Sequence, residues 1–304
     1  MSEYDLVIIG AGPAGLTAGL YAARARMNVL LIEKAVPGGQ ILVTDWIENY
    51  PGFPEGISGF DLAEKIKEQA LALGLTIETA EVLGLDLSGK IKEVILKKKH
   101  IKTKSLIIAS GASPRKPGVG EDKFLGKGVS FCATCDGPFF RDKVVVAVGG
   151  GDTAVQESIF LTRFAKKVYL VHRRDELRAT KILQERAFSN GKIEFLWDSV
   201  VTGMDGLYGL EKVNIKNLKT GKASEIEANG CFLWIGILPN TEFIKGDVKT
   251  DENGFILVDT KMQTNVTGVF AVGDVRDTPL RQIATAVGDG AVAAVSAEHY
   301  VESL

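Results

Sequence analysis

Two glycine-rich segments constrain the fold of this chain more than any other feature. Residues 10–15 follow the predicted strand 4–9, residues 149–154 follow the predicted strand 143–148, and a helix-forming stretch comes after each segment. Their patterns are G-x-G-x-x-G and G-x-G-x-x-A, in which the glycines allow a tight turn, close approach of a pyrophosphate to the backbone, and close helix packing. We therefore predict an α/β protein with two Rossmann-like, three-layer nucleotide-binding domains.

The residues after each turn differ between the two units. A second strand, 29–32, ends in Glu33, whose carboxylate can accept hydrogen bonds from both hydroxyls of an adenosine ribose. The corresponding place in the second unit is occupied by a histidine and three arginines: His172, Arg173, Arg174 and Arg178. Guanidinium groups bind a 2′-phosphate through charge-assisted hydrogen bonds, whereas a carboxylate would repel it. The second unit is therefore predicted to bind NADPH rather than NADH.

The sequence Cys132-Ala133-Thr134-Cys135-Asp136 lies between the two turns. Two thiols at this spacing can close into a disulfide and open again, and Asp136 can move the protons that this cycle needs. Cys231 has no cysteine neighbour in sequence and is predicted to be a small buried residue of a strand. Three cysteines, two of them in a C-x-x-C, indicate a redox-active pair rather than a structural disulfide framework.

Composition and charge argue against several classes of protein. The chain has 304 residues, of which 45% are hydrophobic and 24% charged, and its formal net charge is −2. This charge predicts neither a nucleic-acid partner nor a membrane partner. The apolar runs are too short to cross a bilayer, and an acidic N-terminus that enters a strand directly argues against a signal peptide. We expect a cytoplasmic protein.

Other segments carry local structural signals. Ser58-x-x-Asp61 resembles a capping box at the start of a helix, and residues 76–99 predict a β-meander. A strand that ends in Gly273-Asp274 places a carboxylate at the carboxyl end of a sheet, where ligands bind in open α/β folds. A terminal helix is expected from about Arg281.

In their order along the chain, these motifs resemble those of the low-molecular-weight, bacterial-type NADPH-dependent thioredoxin reductases, a group of class II pyridine nucleotide-disulfide oxidoreductases. Gly38-Gly39-Gln40 and Asn49-Tyr50-Pro51-Gly52 also belong to this pattern, which spans nearly the whole chain. The resemblance implies an FAD-binding domain formed by residues 1–114 and 241–304. It implies that residues 115–240 form an inserted NADPH-binding domain that carries the C-x-x-C. It further implies a homodimer that reduces thioredoxin.

The expected site residues follow from the motifs and the resemblance together. Those expected to contact FAD are Gly10, Gly12, Pro13, Ala14, Gly15, Glu33, Lys34, Gly39, Gln40, Asn49, Gly111, Gly273, Asp274, Arg281, Gln282 and Ile283. Those expected to contact NADPH are Gly149, Gly151, Asp152, Thr153, Ala154, His172, Arg173, Arg174 and Arg178. The expected catalytic residues are Cys132, Cys135 and Asp136. No metal site is predicted.

The resemblance also implies a reaction sequence. A hydride passes from NADPH to FAD, electrons then reduce the disulfide of Cys132 and Cys135, and the dithiol reduces thioredoxin through a mixed disulfide. In the family the second cysteine, here Cys135, lies against the flavin. Because nicotinamide and disulfide need the same region of one flavin, we predict that the inserted domain rotates about linkers near residues 114–117 and 239–241.

Other functions share part of this pattern. A stand-alone flavoprotein reductase of a peroxiredoxin or glutaredoxin-like system would share both nucleotide sites and the C-x-x-C. Such reductases usually carry an extra N-terminal redox domain, whereas here the first strand opens the chain. A ferredoxin–NADP reductase of the same architecture would lack the C-x-x-C. A non-enzymatic nucleotide-binding module with a structural metal would need four ligands, of which a single C-x-x-C supplies two.

Overall fold

The computed structural model describes residues 3–44, 46–47, 49–244 and 246–304. The strands are β1 (Glu3–Ile9), β2 (Val29–Glu33), β3 (Thr76–Thr79), β4 (Val82–Asp86), β5 (Lys92–Leu96), β6 (His100–Ile108), β7 (Ala112–Pro114), β8 (Val129–Ser130), β9 (Val144–Val148), β10 (Lys167–Val171), β11 (Ile193–Leu196), β12 (Ser199–Asp205), β13 (Lys212–Asn217), β14 (Ala223–Glu227), β15 (Gly230–Leu233), β16 (Ile237–Pro239) and β17 (Val269–Ala271). The helices are α1 (Pro13–Arg24), α2 (Gly59–Ala72), α3 (Ala133–Asp136), α4 (Asp152–Leu161), α5 (Lys181–Phe188) and α6 (Ile283–Glu302). Short 3-10 turns cover Gly39–Val43, Glu121–Phe124, Gly137–Phe140 and Gly273–Val275.

The chain divides into two compact units. Unit 1 comprises the described residues up to Ser113 together with Leu238–Leu304, and unit 2 comprises Pro114–Ile237. The chain passes between the units along β7 and β16, which pair with each other. The assignment of FAD to unit 1 and NADPH to unit 2 stays a prediction.

Unit 1 is built on a mainly parallel sheet in the order β3-β2-β1-β6-β5-β4, with β17 also paired to β6. Successive side chains of β1 enter different cores, because strand residues alternate between the faces of a sheet. Leu6 packs on one face with residues of α1 and α6, and Val7 packs on the other with residues of β4 and β5. Burial on both faces explains why residues 6–9 of this strand are all apolar.

The predicted β-meander over residues 76–99 is wrong in its first part. β3 pairs in parallel with β2, and only β4, β5 and β6 form an antiparallel ribbon. Helix α2 precedes β3, and a crossover of this length brings the chain back to the same edge in the parallel sense. Helix α2 itself begins as predicted, with the Ser58 side chain accepting a hydrogen bond from the Asp61 N–H at 3.0 Å.

Unit 2 repeats this architecture on a smaller scale. Its parallel sheet has the order β11-β10-β9-β15-β8, and β12, β13 and β14 form an antiparallel sheet in the same unit. Cys231 lies on β15 with no exposed surface, as predicted, and burial raises the pKa of its thiol. The prediction of two Rossmann-like α/β units is confirmed. Among the described helices, none combines the length and apolarity needed to cross a membrane.

Candidate redox and nucleotide-binding sites

Cys132 and Cys135 are joined by a disulfide at the start of the short helix α3. The Cys132 Sγ accepts a hydrogen bond from the Cys135 N–H at 3.2 Å, and the Asp136 N–H donates to the Cys132 carbonyl at 3.1 Å. On the preceding side, the Cys132 N–H donates to Ser130 Oγ at 3.0 Å. Both cysteines and Asp136 are half-buried, so the disulfide and the adjoining acid are partly accessible to solvent.

Two neighbours of the disulfide were not identified from the sequence. Glu157, on α4, accepts a hydrogen bond from the N–H of Ala133, and burial raises the pKa of its carboxyl. The Trp234 indole N–H donates to the Phe131 carbonyl at 3.0 Å, which ties the end of β15 to the redox segment. These contacts join residues far apart in the chain, and no local motif marks either side chain.

The first glycine-rich turn has three different steric environments at its glycines. A Cβ on Gly10, which has φ +101°, would lie 2.4 Å from the Ala109 carbonyl oxygen. A Cβ on Gly15 would lie 1.8 Å from the Gly10 carbonyl oxygen. A Cβ on Gly12, by contrast, would meet nothing within 4 Å, although Gly12 directly precedes α1. No side chain caps the first turn of that helix, so its N–H groups have the open space that a phosphate requires.

Glu33 holds this turn from the end of β2. One carboxylate oxygen accepts the Ala11 N–H at 2.7 Å, and the other accepts the Ala35 N–H at 2.9 Å. Each oxygen keeps a second lone pair, which a ribose hydroxyl can use. The adjoining Lys34 is exposed.

The segment after β2 folds back onto the first turn. A Cβ on Gly39, at φ +67°, would lie 2.9 Å from the Cα of Gly12. The Gln40 side-chain amide donates to the carbonyl of Ala112, the first residue of β7. Gly111 directly precedes Ala112, between β6 and β7. Gly39, Gln40 and Gly111 are therefore brought to the same side of unit 1 as the first turn.

Two further predicted FAD contacts meet at the start of α6. The Asn49 amide donates to the side-chain oxygen of Gln282 at 3.0 Å. Gln282 is the N-cap of α6, and Ile283 begins the helix and packs on the small apolar cluster around Ile41. This contact explains how a loop at residue 49 and a helix at residue 283 can contribute to one site.

Asp274 and Arg281 form a partly buried polar group in unit 1. Burial raises the pKa of the Asp274 carboxyl, with Arg281 opposing and Asp289 adding to the shift. The Arg281 guanidinium carbon lies 4.3 Å from the centroid of the Phe255 ring. Its Nε is buried and has no hydrogen-bond partner in the described part of the chain. A buried donor without a partner is uncommon in a folded protein and indicates a polar ligand, as the predicted FAD site requires.

The second glycine-rich turn also has an open centre. Gly149 has φ +150°, and a Cβ there would lie 2.5 Å from the Ala154 Cβ. A Cβ on Gly151 would meet nothing within 4 Å, and α4 begins next to it without a side-chain cap. Asp152 and Thr153 are exposed in the first turn of that helix. These residues fit a pyrophosphate in the same way as the first turn does.

His172 lies directly beneath this second turn. A Cβ on Gly150 would overlap the His172 ring, with its Cε1 only 2.2 Å away. His172 is 4% exposed, and its Nε2 is buried without a hydrogen-bond partner among the described residues. Burial lowers the pKa of His172, and the charges of the three nearby arginines lower it further. A backbone hydrogen bond with Glu176 opposes this lowering of the pKa.

The three predicted arginines cluster on the exposed side of this turn. Arg173, Arg174 and Arg178 are exposed, and none forms an ion pair with a carboxylate that the structure describes. The Arg178 N–H donates to the Gly150 carbonyl at 2.7 Å, and the Thr180 N–H donates to an Asp152 carboxylate oxygen at 2.6 Å. The arginine segment is thereby held on the turn, and its uncompensated positive charge fits a 2′-phosphate. Across the described ranges, no group of three or more His, Cys, Asp and Glu side chains is arranged to hold a metal ion.

Comparison with known proteins gives a consistent family assignment. The model of the pyridine nucleotide-disulphide oxidoreductase family matches residues 4–290. The thioredoxin reductase of Peptoclostridium acidaminophilum is 48% identical over 307 residues, covering 99% of this chain and 98% of that protein. The crystal structure of thioredoxin reductase from Streptococcus pyogenes MGAS5005 matches with a TM-score of 0.93 at 47% identity, covering 99% of both chains. That of Lactococcus lactis thioredoxin reductase, in its FR conformation, matches with a TM-score of 0.71 at 48% identity, covering 99% of this chain and 100% of that one. The chain belongs to the pyridine nucleotide-disulphide oxidoreductase family.

Proposed function

We propose that this protein is an NADPH-dependent thioredoxin-disulfide reductase with FAD and NADPH as its cofactors. The observation that carries the proposal is the closed Cys132–Cys135 disulfide in the same unit as an arginine-lined nucleotide turn. A second nucleotide turn with a carboxylate in place of the arginines lies in the other unit. Relatives that match over almost the whole chain are thioredoxin reductases.

FAD is assigned to unit 1, where Gly12 leaves space for its pyrophosphate and Glu33 accepts its adenosine ribose hydroxyls. The buried Arg281 Nε and the Asp274 carboxyl supply further polar contacts on the same unit. Bound FAD would supply the redox chemistry that links NADPH to the Cys132–Cys135 disulfide.

NADPH is assigned to unit 2. Gly151 and the start of α4 receive the pyrophosphate, and Arg173, Arg174 and Arg178 bind the 2′-phosphate. His172 supports the turn from below, and its buried Nε2 has no hydrogen-bond partner among the described residues.

Reduction of the Cys132–Cys135 bond consumes two electrons and two protons and yields two thiols. One thiolate attacks the disulfide of thioredoxin, whose sulfur–sulfur bond breaks as a mixed disulfide forms. The second cysteine then displaces reduced thioredoxin and restores the Cys132–Cys135 bond. Asp136 is positioned directly after Cys135 to take a proton from the attacking thiol and to return one to the departing thiolate. Of the two cysteines, we assign Cys135 as the one that lies against the flavin.

Unit 2 is proposed to rotate relative to unit 1 between the two half-reactions. Only the two segments that include β7 and β16 carry the described chain from one unit to the other, which is the connectivity of a hinge. An engineered cross-link between the units should abolish turnover, and undiminished turnover in the cross-linked protein would contradict the rotation.

The central test is NADPH oxidation by the purified protein in the presence of thioredoxin, compared with NADH under the same conditions. We expect turnover with NADPH that requires thioredoxin and is lost in Cys135→Ser. Asp136→Asn should lower turnover with thioredoxin, whereas the matched surface change Asp142→Asn should leave it unchanged. Flavin reduction by NADPH without thioredoxin turnover would indicate that the substrate is another disulfide protein, such as a peroxiredoxin or glutaredoxin-like partner.

We further propose that the protein is a homodimer and acts in the cytoplasm. A dithiol that must be regenerated by NADPH operates in a reducing compartment. Light scattering of the purified holoenzyme would measure the oligomeric state directly, and a monomeric mass at working concentration would contradict the dimer.

A further inference from the structure

Unit 1 contains a buried ion pair that the nucleotide motifs do not include. Arg276 Nε lies 2.7 Å from Asp289 Oδ2, and Arg276 Nη2 lies 2.8 Å from Asp289 Oδ1. The two side chains are 15% and 10% exposed. This is the bidentate geometry in which guanidinium and carboxylate bind most strongly.

The position of Asp289 makes this pairing necessary. Asp289 lies within α6, where its buried neighbours along the helix are the small residues Ala286, Gly290, Ala293 and Ala294. An unpaired carboxylate in such a surrounding would be strongly destabilising, because burial removes its hydration. A small apolar residue would fill this place at lower cost.

The same carboxylate also holds the Gly273–Val275 turn. Asp289 Oδ2 accepts the N–H of Gly273 at 3.0 Å, in addition to its bond from Arg276. Gly273 has φ +71°, and a Cβ there would lie 3.1 Å from the Cβ of Ala14. The turn that presents Asp274 is therefore anchored to α6 and pressed against the beginning of α1.

Helix α6 makes its own close contact at this level. A Cβ on Gly290 would lie 2.3 Å from the carbonyl oxygen of Ala14. The residue next to Asp289 thus touches the first turn of α1, the helix whose N-terminus follows Gly12. Asp289 consequently lies where three elements meet: the Gly273–Val275 turn, α6, and the glycine-rich end of α1.

We propose that Arg276 and Asp289 are positioning residues for FAD. Their ion pair fixes the Gly273–Val275 turn against the start of α1, so that Asp274 and the first glycine-rich turn present one binding surface. Neither side chain has to touch the cofactor. The inference rests on the proposed function only in taking FAD as the ligand of unit 1.

The test is the affinity of the holoenzyme for FAD, measured from the fluorescence of flavin released on dilution. The variants are Arg276→Met, Asp289→Asn and the double variant, with the exposed Asp277→Asn as the matched control. Arg276→Met leaves a buried carboxylate unpaired, and we expect it to raise the FAD Kd about tenfold or more. The double variant has no unpaired charge and should bind FAD more tightly than Arg276→Met.

Thermal unfolding with and without saturating FAD separates positioning from a general structural role. If the pair only stabilised the fold, the variants would melt at lower temperature while their FAD Kd stayed at the wild-type value, and the inference would be overturned. Equal Kd values for Arg276→Met and the double variant would also overturn it, because the effect would not depend on the pair. Failure of the wild-type protein itself to bind FAD would instead refute the proposed function.

Discussion

The two glycine-rich turns both have glycine at their first and third positions, but they differ in where alanine replaces glycine at the second and last positions. The first turn has Ala11 at its second position and Gly15 at its last, whereas the second has Gly150 and Ala154. At the last position, a Cβ on Gly15 would strike the Gly10 carbonyl oxygen, while the second turn accommodates the methyl group of Ala154. The two turns therefore share a glycine pattern but differ in which of their positions can carry a side chain.

The residue at the end of the second strand explains the difference at the second position. Glu33 accepts the Ala11 N–H at the first turn, where the second position carries an alanine side chain. His172 instead lays its ring where a Cβ of residue 150 would be, so only glycine fits there. Thus the side chain beneath the turn and the residue in the turn form a matched pair in each unit.

The charges that surround the two turns are also opposite. Glu33 supplies a negative charge to the first turn, and Arg173, Arg174 and Arg178 supply positive charges to the second. Because like charges repel and a 2′-phosphate carries negative charge, this difference is the basis for assigning FAD to one unit and NADPH to the other.

The largest expected effect comes from removing the positive charges. Replacing Arg173, Arg174 and Arg178 by alanine should lower the preference for NADPH over NADH roughly 1000-fold or more, because three charge-assisted bonds of about 1.5 kcal/mol each sum to about 4.5 kcal/mol. Steady-state kinetics with both cofactors measure this ratio. Lys222→Ala, an exposed basic residue of the same unit, is the matched control. An equal loss with NADH and NADPH would show that the arginines do not read the 2′-phosphate.

Exchanging the residues at the last position of the two turns should have asymmetric effects. Gly15→Ala forces a Cβ against the Gly10 carbonyl oxygen, and overpacking of this kind costs about 1–3 kcal/mol, which would correspond to roughly 5- to 150-fold in FAD affinity. Ala154→Gly introduces no clash and costs about 1 kcal/mol of helix propensity at most. The flavin content of the purified protein measures the effect of Gly15→Ala, and the KM for NADPH measures the effect of Ala154→Gly. Normal flavin content in Gly15→Ala would contradict the steric argument.

At the second position, Gly150→Ala must displace the His172 ring. We expect the NADPH KM to rise about tenfold, since the turn and the ring cannot both keep their places. Combining Gly150→Ala with His172→Ala should recover part of the loss, because the smaller side chain leaves room for the new methyl group. If the double variant is no better than Gly150→Ala, the ring is not the cause of the glycine requirement.

The smallest expected effect is on the pH dependence of stability. The pKa of His172 is lowered from its ordinary value of 6.5 in the folded protein, so its contribution to stability is complete above 6.5 and is lost as the pH falls below it. The free energy of unfolding should decrease by at most about 1.4 kcal/mol per pH unit in this range. Urea unfolding of wild type and His172→Asn measures the slope, with the exposed His100→Gln as control. A slope in His172→Asn equal to that of wild type would assign the pH dependence to another group.

Much of the molecule was determined by the sequence itself. Strand, glycine turn and helix are contiguous at residues 4–24 and 144–161, so apolar runs and glycine spacing were enough to predict both Rossmann-like units. The pairing of Cys132 with Cys135 needed only their spacing on one short turn. The roles assigned to individual site residues stay predictions, for which the arginine and glycine variants are the tests.

The tertiary structure decided what depends on residues distant in the chain. The parallel pairing of β3 with β2 requires α2 to cross the sheet first, a step that an alternating pattern over residues 76–99 does not reveal. In the sequence, nothing distinguishes Asp289 from other acidic residues of a helix rich in glycine and alanine. Only the fold brings it into contact with Arg276 and Gly273. Glu157 likewise gains its buried contact with Ala133 only when α4 packs on the redox segment. Local patterns specify strands, turns and helices because their determinants are neighbours in the chain, whereas buried polar contacts depend on packing that no local pattern contains.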